Sequence, residues 1–238
     1  GDFDDFDSIR RALEGAYGVF SVQNPAQAGA DGERRQGTAM IDAAARQRVT
    51  HFMYASAIAA DAPTGISFLE SKRSVEEHLR QSGLMYTVLR PAMFMENFLR
   101  MGPLVDGVVI ALPLAPGMTL QQIAVDDIGR IAAYAFEHPA VFRNRSVDIA
   151  GDENSFLEIT AAISRALNRE ASYHELSWED FERTAGPDMT NFFRLLQDQW
   201  LSGRGRVDIP ALKAEMPELT PFERWVHAQN WERYRTAG

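Results

Sequence analysis

The chain has 238 residues, of which 45% are hydrophobic and 24% are charged, and its net charge is −9 at pH 7. Such a composition argues against disorder throughout and allows one or two domains with buried cores. The negative charge argues against direct nucleic-acid binding, which needs a basic face. No cysteine is present, which excludes disulfides and thiol chemistry within these residues.

No apolar run in the sequence approaches the ~20 residues of a membrane helix, and no basic and apolar leader opens it. We therefore expect a cytoplasmic protein without a membrane partner. The five histidines form no H-x-H or H-E-x-x-H pair. This spacing favours isolated histidines, and we expect no metal site.

The first ninety residues alternate between amphipathic helices and short apolar strands. A first helix is expected to be capped by Asp7 or Ser8. Strands are predicted at 17–22, 49–56 and 84–91, and further helices at 33–48 and 69–83. Nearly continuous apolar strands that alternate with helices are typical of a parallel β-sheet covered on both faces. The predicted fold class is therefore α/β.

The pattern changes after Pro91. A helix is predicted at 92–100, strands at 108–113, 119–125 and 145–151, and a helix at 125–139 capped by Asp126 or Asp127. Ser155-x-x-Glu158 is a capping box that opens another helix. Thr220-Pro221 is expected to open a last helix, with the proline at its first position.

These elements indicate an approximate domain boundary near residue 151. Residues 1–150 are predicted to form the sheet domain, and residues 151–238 a smaller, mainly helical lobe. No stretch rich in Pro, Gly or Ser separates the two. We therefore expect the lobe to pack closely on the first domain.

Lysine is rare in this chain. Its 24 basic residues include only two lysines, Lys72 and Lys213. Lys72 lies four residues after Phe68, in a helix that follows a predicted parallel strand. In open α/β sheets the ligand crevice lies outside the carboxyl ends of the strands, and residues four apart share a helix face. Lys72 is therefore expected near that crevice.

The chain resembles the NmrA-like branch of the atypical short-chain dehydrogenase/reductases. The resemblance is carried, in order, by "GVFSVQNP", "GTAMIDAAARQRVTHFMYAS", "SKRSVEEHLRQSGLMYTVLRPAMFMENF" and "IAVDDIG". It extends over nearly the whole chain, and the combination of motifs is more specific than any one of them. It implies a Rossmann-type domain that binds NADP or NAD, with the C-terminal lobe closing over the nicotinamide end.

The resemblance also implies catalytic chemistry by a Tyr-x-x-x-Lys pair. In that pair the lysine holds the nicotinamide ribose, and the tyrosine protonates the carbonyl that receives the hydride. Here the spacing reads Phe68-x-x-x-Lys72, so Lys72 matches and the proton donor does not. A compact ammonium suits a ribose hydroxyl better than a planar guanidinium does. Alternatively, Lys72 is a solvated helix residue paired with Glu76.

Further positions match residues that line the site in this family. The resemblance places along the cofactor Asn24, Ser56, Lys72, Pro91, Ala92 and Phe94. It places toward the substrate Phe68, Phe94 and Asn97. Ordinary structural roles remain open: a turn for Asn24, a turn cap for Ser56, core packing for Phe94 and a surface amide for Asn97.

The sequence departs from the family at its start. The first strand and the Gly-rich loop that holds the pyrophosphate have no counterpart before "GDFDD", and no such loop occurs elsewhere in the printed sequence. Loss of the first strand would leave an open apolar edge. We expect that the sequence is part of a longer chain; the alternative is an edge covered by self-pairing.

Two functions of different classes follow. The leading prediction is an NAD(P)H-dependent reductase of a small carbonyl, quinone or imine. The alternative is a non-catalytic NAD(P)H sensor that acts through a regulatory protein partner, which Phe68 favours. A scaffold without a ligand is a third reading, favoured by the absent loop. The expected oligomeric state is a monomer or a homodimer.

Overall fold

The computed structural model describes residues 1–99, 108–216 and 218–231. By its contacts the chain divides into two units. Unit 1 comprises Gly1–Pro91 and Gly129–Ile149, and unit 2 comprises Ala92–Ile128 and Ala150–Gly238. The predicted boundary at 151 lies next to Ala150, where the chain enters unit 2 for the second time. Residues 92–128 were expected in the first domain but belong to unit 2. The domain boundary itself stays a prediction.

Unit 1 contains a four-stranded parallel sheet in the order β1-β2-β3-β7. Its strands are β1 (Gly18–Ser21), β2 (His51–Ala55), β3 (Tyr86–Pro91) and β7 (Arg145–Ile149). Each strand pairs in parallel with its neighbour, so that Ser21 lies beside Tyr54 and Ala55 beside Leu89. All five residues of β2 are buried, as expected for a strand covered on both faces. The predicted parallel strands and α/β class are confirmed.

The first three helices of unit 1 begin earlier than the sequence predicted, and the second is kinked at Gly29, where φ is +70°. The helices of unit 1 are α1 (Phe6–Ala12), α2 (Pro25–Arg46), α3 (Ser67–Gln81) and α5 (Pro139–Phe142), and α4 (Val125–Glu137) starts in unit 2 and ends in unit 1. Asp5 caps α1 by accepting a hydrogen bond from the Ser8 N–H at 3.1 Å, so the predicted caps Asp7 and Ser8 are wrong. Asn24 caps α2 in the same way.

The core of unit 1 is built from aliphatic and aromatic side chains of β1, β2, β3 and the helices beside them, including Ile41, Phe52 and Leu79. Helices α2 and α3 approach each other closely at Gly37. A Cβ atom on Gly37 would lie 2.8 Å from Cγ2 of Val75, which is too near for a real side chain. The absence of a side chain at residue 37 therefore sets the α2–α3 distance.

The described residues of unit 2 form two smaller sheets. One has the order β4-β6-β8 and the other pairs β5 with β9. These strands are β4 (Met93–Phe94), β5 (Val108–Leu112), β6 (Thr119–Ile123), β8 (Asp152–Ser155) and β9 (Ala171–Glu175). The helix predicted at 92–100 is wrong over Met93–Phe94, where the backbone pairs with β6, and a 3-10 helix follows at Met95–Leu99. Residue 100 lies outside the described residues.

Helices complete unit 2: α6 (Phe156–Leu167), α7 (Trp178–Ala185), α8 (Pro187–Ser202), α9 (Ile209–Glu215) and α10 (Phe222–Ala228). The capping box of Ser155 and Glu158 is confirmed. Asp127 does not cap α4, because the helix begins at Val125 and Asp127 lies in its first turn. Its buried carboxylate accepts hydrogen bonds from Thr220 N–H and Oγ1 at 2.7 and 2.9 Å. Among the residues described, no helix combines the length and apolarity needed to cross a bilayer.

Candidate functional site

The candidate site lies in unit 1, where β1, β2 and β3 end beside α2 and α3. Carboxyl ends of parallel strands meet at one edge of a sheet, which is where open α/β sheets bind ligands. The Ser56 N–H donates to the Leu89 carbonyl at 2.8 Å, and the Ile58 N–H donates to the Pro91 carbonyl at 3.1 Å. These bonds fix the segment after β2 along β3, with Ser56 buried at this edge.

Lys72 is held by a buried carboxylate from the neighbouring helix. Its side chain is 11% exposed, and its Nζ lies 2.6 Å from Oε1 of Glu33 on α2, which is fully buried. The other oxygen of Glu33 accepts a hydrogen bond from Ser71 Oγ at 2.5 Å. The Lys72 ammonium also lies 5.9 Å from the centroid of the Tyr54 ring. The alternative that Lys72 is a solvated partner of Glu76 is therefore wrong.

Glu76 is occupied by a different set of donors. Its fully buried carboxylate receives two hydrogen bonds from Arg90, at 2.9 and 2.7 Å, and one from Arg80 at 2.5 Å. Ser56 Oγ donates a further one at 2.6 Å. Bidentate pairing of this kind offsets much of the cost of burying two charges. Because Ser56 gives its proton to Glu76, its hydroxyl oxygen is left as an acceptor for any ligand.

Asp148 extends this network at the end of β7. It lies 3.5 Å from Nη1 of Arg90, beside the guanidinium that binds Glu76. Burial raises the pKa of the Asp148 carboxyl, and the charge of Arg90 offsets part of that effect. The buried Arg90 side chain is therefore flanked by two carboxylates.

Besides Asp148 Oδ1, which has the 3.5 Å contact with Arg90, two buried polar atoms at this edge lack a hydrogen-bond partner within the described ranges. They are Oη of Tyr54 and Oε1 of Gln23, whose Nε2 donates to Ser21 Oγ at 2.9 Å. Ser21 is the register partner of Tyr54, so these two side chains lie on one face of the sheet, and the Gln23 side chain contacts Ser21 there. Burial, and then the charges of Glu33 and Glu76, raise the pKa of Tyr54, so this phenol keeps its proton. Buried polar atoms without a partner in the protein commonly form hydrogen bonds to a ligand or to ordered water.

The structure brings together only part of the predicted site. Ser56, Lys72 and Pro91 lie in unit 1 at the edge described above. Phe68 is half-buried in the first turn of α3 and so shares a helix with Lys72. Asn24 is exposed, and its Oδ1 is used to cap α2 by accepting the Ala26 N–H at 3.0 Å.

The remaining predicted residues belong to unit 2. Ala92 is buried, Phe94 is 39% exposed in β4, and Asn97 lies in the 3-10 helix. Their roles in cofactor or substrate binding, like those of the residues in unit 1, stay predictions.

Sequence reasoning missed several residues that shape this edge, namely Gln23, Glu33, Tyr54 and Arg90. One signal was available for Arg90, because a charged residue inside an otherwise apolar strand needs a buried partner. Glu33 gave no such signal. It stands in the polar run "DGERRQ", which is typical of a solvated helix face.

Comparison with known proteins gives the family. The profile of the NmrA-like family matches residues 1–226. A (4-alkanoyl-5-oxo-2,5-dihydrofuran-3-yl)methyl phosphate reductase from Streptomyces griseus subsp. griseus is 30% identical over 238 residues, covering 94% of this chain and 80% of that protein. An NAD(P)H azoreductase from Xenophilus azovorans is 26% identical over 143 residues, covering 59% of this chain and 49% of that protein.

Solved structures show the same fold at low identity. NmrA, a negative transcriptional regulator, in complex with NADP has a TM-score of 0.72 and 18% identity, over 95% of this chain and 81% of that one. An NADPH-dependent quinone oxidoreductase from Escherichia coli, in complex with NADPH, has a TM-score of 0.72 and 21% identity, over the same shares. With the parallel sheet and the family match, these likenesses lead to one conclusion: the chain belongs to the NmrA-like family.

Proposed function

We propose that this chain binds NAD(P)H at the carboxyl ends of β1, β2 and β3 and reduces a small carbonyl, quinone or imine. Lys72 carries the proposal. It is a nearly buried ammonium at the crevice edge, and Glu33 accepts only one of its three N–H groups. In support, the Streptomyces relative, 30% identical over most of this chain, is a reductase.

The residues at this edge suit the nicotinamide ribose part of a dinucleotide. Lys72 has N–H groups left to donate to a ribose hydroxyl. Ser56 offers an acceptor oxygen, which suits the amino group of a carboxamide. Tyr54 Oη and Gln23 Oε1 have hydrogen-bonding capacity that no described residue uses. When bound, the reduced nicotinamide supplies the hydride.

The proton has to come from another source than the family's tyrosine. Phe68 has no proton to donate. Tyr54 is a poor acid, because burial, followed by Glu33 and Glu76, raises its pKa. We therefore assign the proton to water, and we assign to the Lys72 charge the stabilisation of negative charge that develops on the acceptor. Quinones suit this arrangement best, because their reduced oxygen is stabilised by conjugation and needs less help from an acid.

A second function is favoured by Phe68. A protein that binds NAD(P)H but lacks the family's proton donor can report the redox state of the cofactor to a protein partner. Lys72 would then serve binding alone, and turnover would be absent with every acceptor.

Titration and turnover distinguish these functions. Protein expressed from the complete open reading frame, called the full chain below, is titrated with NADPH and NADH while nicotinamide fluorescence is followed. Cofactor oxidation is then measured with a quinone, an azo compound and a simple ketone. We expect saturable binding, and turnover that is fastest with the quinone. Binding without turnover would support the sensor. Absence of saturable binding to either cofactor would refute both functions.

A further inference from the structure

Glu33 is a fully buried carboxylate with both oxygens engaged by consecutive residues of another helix. Oε1 binds Lys72 at 2.6 Å and Oε2 accepts the Ser71 hydroxyl at 2.5 Å. Burial of a carboxylate is unfavourable unless it is paired and hydrogen-bonded. This geometry meets both conditions, and it places the partners of Glu33 on α3 beside the crevice.

Helices α2 and α3, which carry these groups, are in close contact one helical turn further along each helix. Gly37 follows Glu33 by one turn on α2, and Val75 follows Ser71 by one turn on α3. A Cβ atom on Gly37 would lie 2.8 and 2.9 Å from the two Cγ atoms of Val75. Close packing at this point prevents the helices from sliding, so the carboxylate of Glu33 has a defined position relative to α3.

An ammonium held in this way is positioned before any ligand arrives. A free lysine side chain has four rotatable bonds that binding must order, and ordering them reduces affinity. Here Glu33 takes one N–H of Lys72, and the Tyr54 ring lies 5.9 Å from Nζ. The described residues accept no second hydrogen bond from Nζ, so two N–H groups remain for a ligand.

We propose that Glu33 and Ser71 are positioning residues, which hold the Lys72 ammonium where it can donate to a hydroxyl group of a bound dinucleotide. This inference rests on the cofactor binding proposed above. It also explains a lysine at residue 72 in a chain whose other basic residues, apart from Lys213, are arginines. An arginine would pair with Glu33 through two parallel hydrogen bonds and displace Ser71, and its planar group would leave no compact donor for the ligand.

A purely structural ion pair would behave differently. In that case Glu33→Gln would lower stability, while the folded protein would bind the cofactor as tightly as before. Lys72→Arg separates the two roles further, because it keeps the charge beside Glu33 and loses the compact ammonium. A structural role predicts little effect of Lys72→Arg on binding, and a positioning role predicts a clear loss.

A double-mutant cycle on cofactor affinity tests the proposal. The NADPH dissociation constant is measured for the full chain and for Glu33→Gln, Lys72→Met, their combination and Lys72→Arg, at a temperature at which circular dichroism shows each variant folded. Glu77→Gln is the matched control, because Glu77 is an exposed glutamate of α3 that pairs with Arg73.

We expect Glu33→Gln to raise the dissociation constant about tenfold, the effect of roughly one hydrogen bond to a charged group. The combined variant should bind no more weakly than Lys72→Met, since Glu33 acts only through Lys72. Lys72→Arg should weaken binding, and the control should not. Unchanged or tighter binding by Glu33→Gln, or effects that multiply in the combination, would overturn the proposal while the proposed function stands. Absence of NADPH binding by the unmodified chain would overturn both.

Discussion

Replacing Glu76 with glutamine is expected to destabilise unit 1 strongly. Glu76 is fully buried and accepts hydrogen bonds from Ser56, Arg80 and Arg90. Glutamine has nearly the same shape, but it removes the negative charge and presents N–H donors where one carboxylate oxygen accepted. Two guanidinium groups would then face an amide that can satisfy only some of their donors.

The magnitude follows from how far each arginine is buried. Arg90 is 8% exposed and would keep only the longer contact with Asp148 at 3.5 Å in place of its bidentate partner, and loss of one partner of such a buried pair costs ~3–5 kcal/mol. Arg80 is 36% exposed and can turn toward solvent, so it adds little. In a chain of this size each kcal/mol lowers the melting temperature by ~2–4 °C, which gives a drop of roughly 6–20 °C.

The assay combines two signals, because they report different parts of the chain. Circular dichroism follows the helices of both units, whereas the four tryptophans all lie in unit 2: Trp178, Trp200, Trp225 and Trp231. Thermal melts of the unmodified chain and Glu76→Gln are compared with Glu76→Gln/Arg90→Met, which also removes the guanidinium that has lost its bidentate partner. Glu77→Gln, an exposed position on the same helix, is the control.

We expect the dichroism transition of Glu76→Gln to move down, and the double variant to recover part of the loss. A shift of less than about 2 °C would refute the reasoning, since it is far below the effect of a buried pair. So would a double variant that is less stable than Glu76→Gln, because the destabilisation would then not come from the loss of the bidentate partner of Arg90.

Three further outcomes are expected. Phe68→Tyr should raise turnover of a simple ketone and leave the NADPH dissociation constant unchanged, because it supplies a proton donor at the family's position. Glu70→Gln should reduce the loss of stability in acid. Hydrogen bonds, first that from the Thr64 N–H, lower the pKa of Glu70 from 4.5 to about 2. The contribution of Glu70 to the stability of the fold is therefore present above pH 4.5 and is lost as the pH falls toward 2. Gly37→Ala should destabilise the chain by ~1–3 kcal/mol through overpacking against Val75.

Each of these outcomes has a measurement that can contradict it. Slower ketone reduction by Phe68→Tyr in steady-state kinetics would show that residue 68 is not the place of the missing donor. Equal acid unfolding curves for Glu70→Gln and the unmodified chain would remove Glu70 from the pH dependence. An alanine at residue 37 that is as stable in urea denaturation as glycine would show that α2 and α3 can separate without loss, and Val75→Ala in the same chain is the control that relieves the contact.

Local sequence was sufficient for the sheet of unit 1. Phe52, Met53 and Tyr54 form part of a continuous apolar run, and such runs between amphipathic helices have few alternatives to parallel strands. Local sequence was insufficient at Met93–Phe94, which form a strand because their backbone pairs with β6, a segment distant in sequence. The cap at Asp5 was also missed, because Asp4, Asp5 and Asp7 stand close together and compete for the same role.

The candidate site could be predicted only through Lys72 and its spacing from Phe68. What holds Lys72 could not be predicted, because burial of Glu33 depends on the approach of α2 and α3 at Gly37, a contact between segments more than thirty residues apart in sequence. A glutamate in a polar run is solvated in most proteins, and the neighbouring Arg34 and Arg35 are exposed here.

The most direct test of the central claim is the affinity of the full chain for NADPH when each of its two lysines is replaced in turn. Lys72→Met should raise the dissociation constant about 5- to 150-fold, equal to ~1–3 kcal/mol, through loss of a charged hydrogen bond. Lys213→Met should change nothing, because Lys213 is exposed on α9 in unit 2. Equal affinities of the folded Lys72→Met variant and the unmodified chain would contradict the claim that Lys72 binds the cofactor.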